Sequence, residues 1–479
     1  MPAAVVVENA QPDDGLEEAR RPLLPPPPLP ASGGGGDSDS EADGELPTTS
    51  GCGGSGCSTA GGVANLVTTA VGAGMVALPR AVSETGILVG MALFAFTAAL
   101  TYASTSIVVR YASRGGFQSY GDLIRHHFGP RGAAILQLAI CVHVGGVMIG
   151  YCVIIADVLV GSAPAYTGML PTLLGRHDNP WFLSRPAVLA LLLSAVVAPM
   201  LVPRSLAVVA KFASFSVGMV MGLAAAISGL AAAAVVEGRV ADDVRLLPDA
   251  AAMGGGTPLG IATSLLTVVS VSALSFTCHF NLMPIKASLK KPCRANMLRV
   301  IQLALAVCAS IYATVAVSGY ALFGSATDGD VLKNLTGRFV SSLVPAPAAH
   351  ALVYGIAVAY SFNLLVNFVL KVWAVRENLC ELALGRPALQ LARGPFYSIT
   401  ALLVAGAYGI SILVPSIYAL LSLIGATACV TFSYIFPGLL VLRCQRAALQ
   451  RAGAAGLLAL GAAMAGIALY NRLTGRGGE

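Results

Sequence analysis

Apolar residues lie in long continuous blocks that are separated by short polar segments. A helix needs about 20 residues to cross a bilayer, and longer blocks require tilt or interfacial ends. The pattern predicts an all-α integral membrane protein with eleven transmembrane helices. Their approximate extents are 61–82, 86–109, 132–160, 187–203, 206–236, 258–284, 298–324, 348–372, 396–413, 415–441 and 453–470.

The composition supports lipid as the main surroundings of this chain. Of its 479 residues, 56% are hydrophobic and only 11% are charged, whereas a soluble domain has about 25% charged residues. The lipid bilayer is therefore the first predicted partner. The net charge of +6 is spread over short loops instead of one amphipathic face, which argues against a nucleic-acid partner.

Residues 1–57 differ in composition from the rest of the chain. Acidic residues, a proline run and glycine-rich stretches dominate them, and such a segment is predicted to be disordered because it cannot bury enough apolar surface. Glu18 with Leu23-Leu24 is similar to an acidic dileucine signal, which would contact a clathrin adaptor; a chance leucine pair is the alternative. The predicted domains are this tail, a transmembrane domain at 58–470 and a short C-terminal tail at 471–479.

Lysine and arginine are unevenly distributed between alternate loops. If the N-terminal tail is cytoplasmic, 18 of them lie in inner loops, 2 in the tail and 9 on the outer or lumenal side. Because positively charged loops stay in the cytoplasm, the N-terminus is predicted to be cytoplasmic. The sequon that begins at Asn334 then lies on the outer or lumenal side, where glycosylation takes place.

The first apolar block contains a local disruption of the helix. Gly72 and Gly74 lie two residues apart at mid-membrane, and Pro79 follows. Unwound backbone at that depth must be surrounded by protein or water, and its free N–H and C=O groups can bind a substrate carboxylate or a cation. Close packing of a neighbouring helix is the alternative, but we favour binding. The predicted substrate-binding residues here are Thr68, Thr69, Gly72, Ala73, Gly74 and Met75.

Small hydroxyl residues and a histidine lie inside the sixth block. Such groups need partners, so they are expected to face the bundle or a cavity; hydroxyls that bond carbonyls of their own helix are the alternative. No glycine or proline lies in the middle of this block, so the sequence does not predict unwinding here. The predicted substrate-binding residues are Ser275, Phe276, Thr277 and Cys278.

Polar residues in the third and eighth blocks suggest an ion pathway. His143 could titrate near neutral pH, or it could be satisfied by a neighbouring helix. Asp157 lies near an outer helix end, where helix pairing and proton coupling are both open. Asn363 and Asn367 share one face of a helix and could bind a cation or hold two helices together. The residues assigned to ion coupling are Thr68, His143, His279, Asn363 and Asn367.

Five motifs follow one another between residues 60 and 445. They are Asn65 to Pro79, Ser119 to Gly129, Gly150 to Leu159, Cys278 to Ile285, and Ser318 to Gly324 followed by Asp330 to Asn334. In this order they resemble the motifs of the amino acid/auxin permease family, in particular plant vacuolar amino acid transporters. The resemblance implies a LeuT-like fold of two inverted five-helix repeats plus one helix, with substrate between helices 1 and 6.

The resemblance also implies a function. It indicates a secondary active transporter that moves an amino acid by alternating access, in the vacuolar membrane more than in the plasma membrane. Sodium-coupled relatives commonly have Asn where Thr68 stands here, which favours protons over sodium as the coupling ion. Sodium-coupled symport and an amino acid sensor with little flux are the alternatives.

Catalysis and metal binding are not predicted. The apolar blocks lack a cluster of His, Asp or Glu that an intramembrane enzyme would need. His126-His127 has no third ligand near it in sequence, and Cys52 and Cys57 have no neighbouring histidine. We therefore expect no metal and no cofactor.

Overall fold

The computed structural model describes residues 57–162, 166–176, 178, 180–204, 207–249, 253–414 and 416–473. Within these ranges the regular structure is helical, apart from an isolated bridge between Cys57 and Leu289. The dileucine pair and nearly all of the predicted disordered tail lie outside the described residues, as does residue 474 onward.

The helices follow the predicted apolar blocks. In chain order these helices are α1 (Thr59–Ala70), α2 (Gly74–Thr85), α3 (Ile87–Gly115), α4 (Tyr120–Leu159), α5 (Arg185–Leu201), α6 (Ala207–Val236), α7 (Pro258–Phe276), α8 (Leu282–Ser288), α9 (Arg294–Phe323), α10 (Val331–Asn334), α11 (Ala346–Leu384), α12 (Arg393–Leu413), α13 (Ile417–Cys444) and α14 (Ala448–Leu473). Of these, α10 is a short helix in a loop. Two further short helices, Met169–Leu174 and Gly337–Val340, lie in loops.

The number of full-length spans is close to the predicted number. Among the described residues, nine helices are long and apolar enough to cross a membrane, and α1 with α2 forms a tenth, bent span. The helix at the expected fourth position, α5, has only 17 residues and includes a wide π-helical turn at Leu193–Val197. The all-α membrane class is confirmed, while the count of eleven stays a prediction.

The first span is broken where the glycines predict it. The chain leaves α1 at Val71, whose backbone is extended, and starts α2 at Gly74; the two halves are bent by 64°. Pro79 lies inside α2. Glycine tolerates the irregular backbone, and proline removes one N–H from the helix ladder.

The sixth span is interrupted although its sequence predicts no break. α7 ends at Phe276, Thr277 is extended, and a 3₁₀ turn at His279–Asn281 leads into α8. Breaks therefore occur in the first and the sixth spans, five spans apart. This spacing is what two five-helix repeats would produce.

The two broken spans are surrounded by intact helices. α9 packs along α1, α2, α3 and α6, while α11 packs along α4 and α6, and α7 contacts both α2 and α3. Gly129, with φ of 72°, separates the short helix Tyr120 to Phe128 from the membrane part of α4.

Gly425 permits a close approach between α13 and α7. A Cβ atom at this position would clash with the carbonyl oxygen of Ser270 and lie 2.9 Å from its carbonyl carbon. Because the obstacle is backbone, it cannot turn aside as a flexible side chain would. This glycine therefore determines how closely the two helices approach.

We expect Gly425→Ala to destabilise the protein by about 1–3 kcal/mol, because an added methyl group overpacks a backbone contact. The measurement is thermal unfolding of the purified protein in detergent. Gly409→Ala in α12 is the matched control, since nothing lies within 4 Å of a Cβ there. Equal unfolding temperatures for both variants would show that this contact is not tight.

Candidate functional site

The breaks in the first and sixth spans touch each other. A Cβ atom on Gly74 would clash with the Ser275 hydroxyl and lie 2.9 Å from Ser275 Cβ and 3.0 Å from its Cα. Two segments that the sequence identifies separately are thus brought together at one place. The neighbouring candidates in both segments are also buried, namely Gly72, Ala73, Met75, Phe276, Thr277 and Cys278.

Buried tyrosines provide hydrogen-bond donors to the backbone at both breaks. Tyr360 of α11 donates to the Gly72 carbonyl at 3.1 Å, and Tyr312 of α9 donates to the Ser275 carbonyl at 2.7 Å. Tyr151 of α4 lies over Gly72, where a Cβ would clash with its hydroxyl and approach its ring carbon Cε1 to 3.2 Å. The carbonyls that the breaks release therefore have partners inside the protein.

These tyrosines were not among the predicted site residues. A phenol inside an apolar span usually needs a polar partner, so Tyr151, Tyr312 and Tyr360 carried a usable signal. What the sequence could not indicate is which carbonyl each phenol would reach, because donor and acceptor lie on different helices.

The predicted hydroxyl residues bond first to their own helices. Thr68, Ser275 and Thr277 each donate to the carbonyl four residues earlier, at 2.8, 2.9 and 2.6 Å. Thr69 does the same at 2.9 Å and also accepts a hydrogen bond from Asn281 across the two breaks at 3.0 Å. Each oxygen can still accept a bond from a ligand, so substrate binding by these residues stays a prediction.

The asparagine pair of α11 forms a polar cluster with α6. Asn363 accepts a hydrogen bond from Ser216, and Asn367 donates to the Ser216 hydroxyl at 3.1 Å and to the Asn363 side-chain oxygen at 3.1 Å. Asn363, Ser216 and Thr68 border a gap of about 10 Å³, which is about the space of one water molecule. The structure thus joins three predicted residues with Ser216, which the sequence analysis did not select.

The two predicted histidines lie around a different cluster. His279 Nε2 is 2.8 Å from the Ser104 hydroxyl of α3. His143 packs against the rings of Phe280 and Phe432, with ring centroids 6.0 and 5.1 Å away. Both imidazoles are buried and approach the ring of Phe432, whereas Thr68 and Asn363 border the separate gap beside α6.

Lys371 is a buried cation near the end of the predicted eighth block, and it was not among the predicted site residues. Its ammonium group donates to the Thr69 carbonyl at 3.2 Å and lies 5.0 Å from the centroid of the Phe280 ring. That carbonyl belongs to the last turn of α1, where unpaired carbonyls and the helix dipole favour a cation. Lys371 follows Asn367 by four residues, so continuing the Asn363–Asn367 face by one turn would have found it.

A solved structure with the same arrangement of helices supports the fold. The chain is similar to a manganese transporter of Eremococcus coleocola, with a TM-score of 0.54, 15% sequence identity and 86% of each chain covered. At that identity the likeness concerns the fold alone.

Sequence relatives identify the family. Amino acid transporter AVT6A of Arabidopsis thaliana is 31% identical over 389 residues, which are 81% of this chain and 82% of the relative. Vacuolar amino acid transporter 2 of Saccharomyces cerevisiae is 23% identical over 78% of this chain and 74% of its own length. The family model described as transmembrane amino acid transporter protein matches residues 55–469. The chain therefore belongs to the amino acid/auxin permease family of transmembrane amino acid transporters, as its motifs predict.

Proposed function

We propose that this protein is a proton-coupled secondary transporter that moves amino acids out of the vacuole by alternating access. The observation that carries the proposal is the contact between two interrupted membrane helices, at Gly74 and Ser275. Backbone N–H and C=O groups at this contact lie deep inside the bundle, where a substrate can use them.

The two helix ends at the first break suit the two charges of an amino acid. The amino end of α2 begins at Gly74 and favours the substrate carboxylate, since N–H groups and the positive end of the helix dipole meet there. The carboxyl end of α1 favours the substrate ammonium group by the opposite argument, once Lys371 leaves the Thr69 carbonyl that it contacts. Tyr151 occupies the space beside Gly72, so its movement would accompany substrate entry.

The vacuolar location and the proton are proposed for separate reasons. The yeast relative is named a vacuolar amino acid transporter, and vacuoles are acidic compartments. Thr68 replaces the asparagine that is common in sodium-coupled relatives, which favours protons. A difference of about 2 pH units provides roughly 2.7 kcal/mol per proton, enough for roughly a hundredfold substrate gradient.

We expect vesicles with an acidic lumen that contain the purified protein to release labelled amino acids, and we expect collapse of the proton gradient to slow that release. A competition panel of twenty amino acids, with and without sodium, identifies the substrate class and the coupling ion. A requirement for sodium would replace the proton in the proposal. Absence of flux under either gradient would favour the sensor.

We expect Gly74→Val to abolish transport because the branched side chain would separate the two breaks at Ser275. Release of labelled amino acids from the acid-lumen vesicles is the measurement, and gel filtration reports whether the variant is folded. Gly145→Val in α4 is the matched control, since nothing lies within 4 Å of a Cβ at that position. Near-normal flux in folded Gly74→Val would remove Gly74 from the site.

A paired substitution separates packing from substrate binding at the same place. Gly74→Ala alone should lower flux, since its methyl group meets the Ser275 side chain. The double variant Gly74→Ala with Ser275→Gly removes that obstacle. Recovery of flux in the double variant would assign the loss to the contact between the breaks.

A further inference from the structure

A group of charges joins the outer ends of several helices. Asp157 at the end of α4 is buried and forms ion pairs with Arg185 of α5 and, at 3.0 Å, with Lys333 of α10. Lys333 also lies 3.8 Å from Asp328. Asp157 therefore holds helices together, which was one of the two alternatives that its sequence position left open.

Residues 324–334, here called the lid loop, lie at this outer end of the protein. Arg80 of α2 donates to the Thr327 carbonyl at 3.2 Å. Gly329 lies against Tyr418 of α13, since a Cβ on this glycine would be 2.7 Å from Tyr418 Cβ. The lid loop thus contacts the outer half of the broken first span, and through Lys333 it contacts α4.

Asn334, the residue of the sequon, closes the lid loop on itself. Its side-chain nitrogen donates to the Ala326 carbonyl at 3.0 Å, and its side-chain oxygen accepts from the Asp328 backbone at 2.8 Å. The lid loop is therefore an ordered segment with internal hydrogen bonds. Its contacts with α2, α4 and α13 define its position.

Asp330 lies at the centre of the lid loop and is completely buried. One of its carboxyl oxygens accepts a hydrogen bond from the Leu332 backbone at 3.0 Å, which starts α10. The other oxygen, Oδ2, is buried and has no hydrogen-bond partner in the described part of the chain. An ionised carboxylate in this position would be poorly compensated.

The charges around Asp330 also disfavour ionisation. Asp157 of α4 and Asp328 of the lid loop are negative neighbours, and Lys333, the positive neighbour, is shared by both of them. Tyr360 of α11 interacts electrostatically with Asp330, and its phenol donates its hydrogen bond to the Gly72 carbonyl. Arg80 of α2 is turned toward Thr327 and toward Glu84, which it meets at 3.5 Å. His350 of α11 is exposed, and it borders a cavity of about 150 Å³ that Asp157 and Lys333 also line.

We propose that Asp330 is a proton-binding residue on the lumenal side, and that its protonation holds the lid loop closed against α2. This inference rests on the proposed transport function, because it supplies a site at which lumenal acidity acts on the transport cycle. The proton binds to the unpartnered oxygen, and no other atom is transferred.

The direction of the pH effect follows from the burial of this carboxyl. Burial, and to a lesser extent the neighbouring Asp157, raises the pKa of Asp330 to about 7 in the closed lid loop. Once the loop opens and water reaches the carboxyl, its pKa returns to about 4. The closed loop therefore binds the proton more tightly, so acid stabilises closure, and this stabilisation is lost as the pH rises through about 7.

The test measures opening of the lid loop directly. A cysteine introduced as Val331→Cys replaces a residue that is completely buried, and a cysteine introduced as Ser325→Cys lies on an exposed part of the same loop. Both are labelled from the lumenal side with a membrane-impermeant thiol reagent in reconstituted vesicles. The labelling rate of Val331→Cys is divided by that of Ser325→Cys. This ratio removes the pH dependence of the thiol reaction itself.

We expect this ratio to fall about 25-fold when the lumenal pH is lowered from 7.5 to 5.5, as the two pKa values require. Asp330→Asn keeps the acceptor for the Leu332 backbone but cannot titrate, so its ratio should be independent of pH. A pH-independent ratio in the otherwise unchanged protein, or the same fall in Asp330→Asn, would overturn the proposal.

Asp243→Asn is the matched control. The Asp243 carboxyl also accepts a backbone N–H of the lid loop, from Ser325 at 2.8 Å, but it is partly exposed. Hydrogen bonding from the Ser325 side chain, and then from its backbone N–H, holds the pKa of Asp243 below its usual range, so the group stays ionised over the tested pH interval. The Asp243→Asn variant should keep the full pH response.

A response that survives in Asp330→Asn and disappears in His350→Gln would assign the titration to His350 and overturn the proposal.

A second variant covers the case in which Asp330→Asn does not fold. Lys333→Gln removes the positive neighbour of Asp330, so the midpoint of the labelling ratio should move to higher pH. An unchanged midpoint would contradict the proposal.

The labelling needs no substrate flux. A normal labelling response without amino acid flux would therefore refute the transport function alone, and pH-driven flux without a labelling response would refute the role of Asp330 alone.

Discussion

Backbone groups inside a membrane must find hydrogen-bond partners within the protein, and the structure of this chain depends on that constraint at its two broken spans. The carbonyls of Gly72 and Ser275 accept hydrogen bonds from Tyr360 and Tyr312, and the Thr69 carbonyl accepts one from Lys371. Without these donors each interruption would cost several kcal/mol in hydrocarbon. The intact helices α9 and α11 therefore determine where the broken spans can exist.

The same donors connect the candidate site to the rest of the bundle. Tyr360 and Lys371 both lie on α11 and donate hydrogen bonds to the carbonyls of Gly72 and Thr69. A movement of α1 relative to α11 would therefore break these two bonds. Gly74 and Ser275 are in direct contact, so a movement of one break displaces the other. Coupled movement of this kind is what alternating access requires of a central site.

The two ends of the protein use different interactions around this centre. At one end, the Lys371 ammonium group meets the face of the Phe280 ring and the Thr69 carbonyl, and His143 packs against the same ring. At the other end, Asp157 and Lys333 form an ion pair next to a buried carboxyl at Asp330. In the predicted orientation this second end faces the lumen, where acidity acts on carboxyl groups.

Apolar block length and the glycine pair determined the membrane class, nearly all span positions and the first break, because span length and helix weakness are properties of the chain itself. The break at Thr277 was not predictable, since no glycine or proline marks it. The Ser275 carbonyl beside the break accepts its hydrogen bond from Tyr312, a residue of another helix. The partners of Lys371 were not predictable for a similar reason, since the carbonyl of α1 and the aromatic ring that it contacts are distant in sequence. Tertiary structure decided which polar groups meet, because each such pair joins residues far apart in sequence.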